Sequence, residues 1–409
     1  MKRASKVKAD LRLALGLAAG LLCFSPGRAQ TAITAVTTTT ATESHTTDAN
    51  ILTGSLSSGT AAASATFAAT SNDLQVSTFT AGTGTQSAQY LYSATSSANA
   101  TASIVRRNTT GITGGGALAN ENGFSTWYAN TSTFSLKSGY DTSANDVLLG
   151  NNLYRGSDNL FVNNNGQTTT PNQSNIERID FLFGSLSTLG GNTISAGITA
   201  NAALALAVFD RGVVNAHDPF HIALITGYDG SGNPIYTSAN IPALTALATT
   251  SASYGTVNPV STFSYTLFRD DNNEGNNLAT WDANTETSSQ GIGGVVFTLA
   301  DFGITGAEIN AGLTIYGYSV MGADVTTTLS NLGGTNYTNP TFYPTASTDA
   351  SGSNVGGIDL VAVNGIGFTK NPAPEPATYG AWLMGGGLGL TGWRNWRRRR
   401  SVAVTSPAA

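Results

Sequence analysis

ALALAVFDRGVVNAHDPFHIALITGYDGSGNPIY, residues 203–236, decides the fold. Ala203–Asp210 is a short apolar run that reads as a buried strand. FHIALITGY (220–228) reads as a second strand and runs into DGSGN, then PIYTSA. Gly and Asn supply the positive backbone angles of a tight turn, so this is a hairpin. Between the two strands, Asp218 makes a turn before Pro219.

The same grammar extends outward. IERIDFLF (176–183) puts Ile179, Phe181 and Phe183 on one face. VSTFSYTLF (260–268) opposes Phe263, Tyr265 and Leu267 to Thr262, Ser264 and Thr266. GVVFTLADF, LTIYGYSVM and GIDLVAVNGI continue the series. No long stretch keeps a helical period; the best helical candidate is GITGAEINAG (303–312). Residues 104–370 are therefore expected to form an all-β, sandwich or jelly-roll-like ectodomain, with two packed β domains as the alternative. Residues 30–103 are rich in Thr, Ala and Ser and read either as a stalk or as a weak β region.

The two ends differ from this body. Lys2, Arg3, Lys6, Lys8 and Arg12 precede the apolar run Leu13–Phe24, and SPGRAQ follows. That pattern is a secretory signal peptide, residues 1–29, cut between Ala29 and Gln30. Cys23, the single cysteine, lies inside it. The mature chain then has no thiol, which excludes a disulfide, a thiolate metal site and a cysteine nucleophile.

Charge follows the same division. The whole chain carries a net −5, residues 1–29 carry +5 and the five arginines from Arg394 carry +5, so the part between holds −15. An acidic exported body argues against nucleic acid as a partner.

At the other end NPAPEP is a proline-rich spacer. Ala377–Trp393 holds no charge, and Arg394, Arg397, Arg398, Arg399 and Arg400 follow. The uncharged run is at the lower limit for a membrane helix, with Trp382, Trp393 and Trp396 at its interfaces and the arginines inside. Pro374-Glu375-Pro376, a short apolar helix and an arginine cluster together resemble the PEP-CTERM sorting signal. That resemblance covers residues 371–400; SVAVTSPAA (401–409) is a departure from it.

The resemblance implies an exosortase-type enzyme that recognises Pro374, Glu375 and Pro376 and processes the chain there. It implies a transient inner-membrane anchor, and a cell-surface or extracellular role in a bacterium that makes exopolysaccharide and biofilm. Signal peptidase would act at the other end. The resemblance says nothing direct about the ectodomain.

Motifs for chemistry are sparse. His217 and His221 have zinc-like spacing, but Pro219 argues against the helix that would make them converge; His45 stands apart. No metal ligand or catalytic residue is expected. Asp210, Asn215 and Asp218 place three oxygen donors in one loop. Asp270, Asn272 and Glu274 alternate before Gly275, but Trp281 stands where an EF-hand needs its last acid. An irregular calcium site or a solvated turn are the two readings of these loops, and no other cofactor is expected.

No G-x-S-x-G elbow, P-loop or dinucleotide fingerprint occurs. The expected function is thus a non-enzymatic exported surface or matrix protein. The alternatives are a carbohydrate-binding adhesin, with Trp127, Tyr128, Tyr316 and Tyr318 as stacking candidates, and a secreted polysaccharide hydrolase. Tyr316 and Tyr318 are expected on one strand face, with core packing as their first explanation.

Overall fold

The structure is a computed structural model. It describes residues 30–44, 55–58, 61–64, 70–84, 87–93, 100–106, 126–130, 144–161, 176–213, 217–238, 241, 245–250, 253–257, 264–270, 281–287, 290–325, 328–344, 357–365 and 367–371. The chain divides into two units, Met1–Thr369 and Lys370–Ala409. The described residues of the first unit are mostly strand with a few short helices, so the protein is all-β.

Strands are numbered in chain order. One sheet runs β1 (Thr31–Ser44), β4 (Thr70–Ala81), β5 (Ala88–Ser93), β24 (Gly367–Lys370), β13 (Leu204–Val213) and β21 (Gln290–Thr298). β21 also pairs with β1, Thr31 opposite Val296 and Ala32 opposite Val295, so six strands close into a barrel. The short β18 (Gly255–Thr256) extends β21's edge. Where a sandwich or jelly roll was expected, the described strands form this barrel and sheets beside it. Alternation specifies which face a residue takes, not which strand lies next to it, so β1 closing on β21 has no local signature.

A five-stranded sheet runs β17 (Leu247–Ala248), β14 (Phe220–Ile225), β23 (Gly317–Gly322), β9 (Ile176–Leu182) and β6 (Thr101–Arg106). A six-stranded sheet runs β3 (Ala61–Ser64), β2 (Ser55–Ser58), β20 (Trp281–Thr287), β19 (Ser264–Asp270), β7 (Thr126–Asn130) and β8 (Arg155–Ser157). Three short pairs complete the set: β10 (Leu186–Leu189) with β11 (Asn192–Ser195), β12 (Ile198–Thr199) with β22 (Thr314–Ile315), and β15 (Gly227–Tyr228) with β16 (Pro234–Ile235). The last is the hairpin read from DGSGN. Asp229 closes it by accepting hydrogen bonds from the Ser231 and Asn233 amides at 2.8 and 2.9 Å.

The boundary expected between 103 and 104 falls inside β6. Strands from both sides of it share the first unit, with β1, β4 and β5 supplying half of the barrel. Within residues 30–103, Thr31–Ser44, Ser55–Ser58, Ala61–Ser64, Thr70–Ala81 and Ala88–Ser93 are strands.

Burial explains the apolar run of the opening stretch. Leu204, Leu206 and Val208 of β13 face Phe181, Ile222 and Tyr318 of the five-stranded sheet. Ala205, Ala207 and Phe209 face the barrel interior, with Ile33, Phe79 and Phe368. A strand covered on both faces tends to a near-continuous apolar run, as Leu204–Phe209 does, and each large side chain buried this way contributes roughly 1.5–3 kcal/mol. The outer face of the five-stranded sheet is covered in turn by Tyr236, Leu332 and Tyr343. One helix was legible: Gly306–Asn310 starts at Thr305, whose hydroxyl accepts from the Glu308 amide while the Glu308 carboxylate accepts from the Thr305 amide.

Tyr316 and Tyr318 do not share a face. Gly317 between them has φ +153°, and this breaks β22 from β23. Tyr318 turns into the core against Phe181, whereas Tyr316 turns outward to meet Tyr228, ring centroids 5.4 Å apart. A Cβ at Gly317 would come within 2.1 Å of the Phe181 carbonyl oxygen. Gly317→Ala is therefore expected to destabilise the protein by at least about 2 kcal/mol, from backbone strain and displacement of β9. Urea unfolding measures this; an unchanged midpoint would contradict the stated backbone approach.

Candidate functional site

Most of the sequence-singled positions at the ends fall beyond what is described. Ala29, the motif Pro374, Glu375 and Pro376, the arginines Arg394, Arg397, Arg398, Arg399 and Arg400, and also His45, Asn215, Asn272 and Glu274 lie outside the described residues. Gln30 is described; its amide donates to the Ala248 carbonyl at 2.7 Å. Among the described residues no helix is long and apolar enough to cross a membrane. Nor does any group of three or more His, Cys, Asp or Glu among them have the arrangement to hold a metal ion.

Two polar clusters stand out. The first grows from Asp210 and Arg211 at the end of β13. Arg211 is 2% exposed. Its Nη2 meets Asp158 at 2.8 Å and Asp359 at 2.6 Å, and its Nη1 donates to the Gln290 side chain. The guanidinium lies 4.0 Å from the Tyr265 ring centroid and 5.3 Å from that of Trp127, a cation–π arrangement. Burial opposes its charge, but Asp359 and Asp158 more than offset this and raise its pKa.

The sequence offers Asp210 as an oxygen donor of a calcium loop. Instead its carboxylate serves the protein: Oδ1 accepts from the Asp359 amide at 2.8 Å, and Oδ2 from the Asp218 amide at 3.1 Å. The same Oδ2 lies 3.0 Å from His217 Nδ1. His217 resembles the middle member of a hydrolase triad, yet its ring is packed, tilted by 32°, between Tyr254, centroids 5.0 Å apart, and the backbone of Gly293. A Cβ at Gly293 would come within 2.3 Å of His217 Nε2, so that edge abuts the strand. His221 lies in β14, opposite Met321 and Ala248; burial lowers its pKa.

The second cluster lines a cleft of ≈ 200 Å³ at the outer face of the five-stranded sheet. Arg178 and Asp180, alternate residues of β9, form its floor. They share the face opposite Ile179 and Phe181. Arg178 Nε donates to both Asp180 oxygens, at 2.8 and 3.0 Å, and Nη1 reaches the Leu332 carbonyl at 3.3 Å. Ser319 Oγ donates to the same carboxylate. Asp180 holds the buried guanidinium charged against the cost of burial, and the Arg178 pKa rises well above its usual value.

One wall carries Tyr337, over whose ring the Arg178 guanidinium sits at 5.7 Å. The other carries Tyr228, Asn192 and Asn233, from two interlocked hairpin tips. Asn192 Nδ2 donates to the Ser231 carbonyl at 2.8 Å, and the Tyr228 hydroxyl lies 3.1 Å from both the amide and the Oγ of Ser195.

Sequence reasoning missed Arg178, Asp180, Asp158, Arg211 and Asp359. IERIDFLF carries only an ambiguous signal: Arg178 and Asp180 at i and i+2 read equally well as the solvated face of a half-buried strand. Of the aromatic candidates, Trp127 and Tyr318 are core, and Tyr316 supports Tyr228 beside the cleft. No family model, curated protein or solved structure matches the chain.

The Arg211 cluster is a structural knot with measurable electrostatics. Arg211→Met leaves Asp158 and Asp359 buried without their counter-charge, so urea unfolding should show a loss of about 3–5 kcal/mol. Adding Asp158→Asn and Asp359→Asn should return part of it.

Burial also pushes the Asp210 and Asp359 carboxyls up. Asp218 is raised from 3.8 to about 7, by burial first and then by Asp210. Folded Asp218 then keeps a proton that the unfolded chain has lost between about pH 4 and 7. The stability that Asp218 contributes is complete below about pH 4 and is lost as pH rises through about 7; Asp210 and Asp359 act in the same direction. His221 has the opposite sign, its contribution being lost as pH falls below its unfolded value of 6.5. Asp218→Asn should therefore gain stability over wild type at pH 8 but not at pH 4, read as the difference between the two melting temperatures. Equal differences at both pH values would contradict the assignment.

Proposed function

We propose that this chain is a non-enzymatic, exported protein of the cell surface or extracellular matrix, associated with exopolysaccharide. The tail carries the reading: Pro374-Glu375-Pro376, the uncharged Ala377–Trp393 and the arginine cluster stand together in one order. The apolar run after a basic start, with small residues before Gln30, supports export through a cleaved signal. In this reading the body crosses first, the tail spans the inner membrane once, and an exosortase-type enzyme processes it.

Within the Arg211 cluster the polar groups serve the fold, which fits that reading. The acids of the Arg211 cluster are engaged with Arg211, His217 and backbone amides, and the His217 ring is enclosed. A carbohydrate-binding adhesin is the second reading, favoured by the cleft over β9. A secreted hydrolase ranks behind both.

Mass spectrometry of the C-terminus in the surface and medium fractions tests the proposal. A mature protein ending within residues 374–377 is expected. Peptides extending through Arg394 in a membrane fraction would make the tail a permanent anchor and overturn the sorting mechanism.

A further inference from the structure

We propose that the cleft over β9 is a subsite for one ring of a neutral, polyhydroxylated saccharide. The inference rests on the reading of the chain as a polysaccharide-associated surface protein and names the part that would make the contact. Three observations converge on it.

The floor is charged but compensated. Arg178 and Asp180 are both buried and locked side by side through Nε and both carboxylate oxygens. A free anion entering the cleft would meet Asp180, and a free cation would meet Arg178, so neither finds a net opposite charge. A hydroxyl, which donates and accepts, suits such a pair.

The walls match the same chemistry. Asn192 and Asn233 bring amides that both donate and accept, Tyr228 brings a phenol, and Tyr337 brings a ring beside the guanidinium. An amphipathic sugar ring offers hydroxyls at its edge and C–H groups on its face, and it uses all of these.

The site is small and already built. A cavity of ≈ 200 Å³ lies below the roughly 300–1,000 Å³ of pockets for drug-sized ligands, and most of those are apolar. One ring of a longer chain fits that size, with the remainder running out over the rim. Rigidity comes from the two hairpin tips. Glycines let them touch through backbone: a Cβ at Gly190 would sit 2.5 Å from the Ser231 oxygen, and one at Gly232 would sit 2.3 Å from the Leu189 oxygen. The wall bearing Tyr228, Asn192 and Asn233 is thus preorganised, and ordering it costs little on binding.

The test is affinity electrophoresis of the full exported chain in gels containing dextran, mannan or galactan, with alginate as an anionic probe. Retardation is expected in at least one neutral polysaccharide and not in alginate. Tyr337→Ala and Asn233→Ala should each weaken it roughly tenfold; each also loses a local contact, Tyr337 its packing and Asn233 its bond to Asp229, so the melting temperature falls modestly while the circular dichroism spectrum of the folded chain is kept. Both side chains are only partly buried and leave the Arg178–Asp180 pair intact.

No retardation in any neutral polysaccharide, retardation in alginate alone, or binding that both variants leave unchanged would overturn the subsite. These outcomes are independent of the C-terminal mass: a chain processed at 374–377 that binds nothing loses the subsite and keeps the sorting. A chain that binds and is not processed does the reverse.

Discussion

A single buried guanidinium ties the unit together. Arg211 leaves β13, meets Asp158 beside β8 and Asp359 in the segment before β24, reaches Gln290 of β21, and lies against the rings of Trp127 and Tyr265 from β7 and β19. Barrel and six-stranded sheet therefore meet at one cation. The backbone repeats the pattern: the Arg211 amide donates to the Asp359 carbonyl, and the Ser157 amide to the Leu360 carbonyl. Residues 358–364 are held between β13 and residues 150–158 by these bonds. A buried ion pair seldom adds net stability over a well-packed apolar substitute, because desolvation cancels most of the attraction. What it joins is specific: Asp158 and Asp359, about two hundred positions apart in sequence, both reach Nη2 of Arg211.

That constraint allows β13 and β21 to serve two cores at once. Each presents alternate residues to the barrel interior and to the five-stranded sheet. This is why ALALAVFD looks buried from sequence alone, and why strand identity was legible there and in IERIDFLF, FHIALITGY and LTIYGYSVM. The hairpin at DGSGN and the capped helix at Thr305 were legible for local reasons, namely turn glycines and a capping box. Strand neighbours were not legible. The pairing of β1 with β21 joins residues more than two hundred positions apart, and nothing in a Thr-rich stretch names its partner. Weak apolar content leaves residues 30–103 readable as a stalk or a weak β region; the barrel draws only a few anchors from there, Ile33, Val76, Phe79 and Tyr90.

The cleft shows the same division between local and assembled information. Asn192, Tyr228 and Asn233 come from two hairpins, Tyr337 from a short turn near the end of the unit, and Arg178 with Asp180 from β9. Only the floor is local in sequence. His217 and His221, whose spacing suggests a metal site, are enclosed by packing, while the charged pair of β9 reads in sequence as ordinary alternation. Gly317 is the sharpest instance of a single residue redirecting a pattern: without its positive φ, Tyr316 would follow Tyr318 into the core and Tyr228 would lose its ring partner.

The central structural claim is that one two-faced wall, β13 with β21, is shared by barrel and sheet. Native-state hydrogen exchange tests it most directly. The amides of Leu206–Arg211 and Ile292–Val296 should be the slowest in the protein. They should open in one step with those of Ile222–Leu224 and Ser319–Met321. Exchange of the β13 amides as fast as that of the exposed hairpin Leu186–Ser195, or opening of the barrel strands in a step separate from β14 and β23, would contradict it.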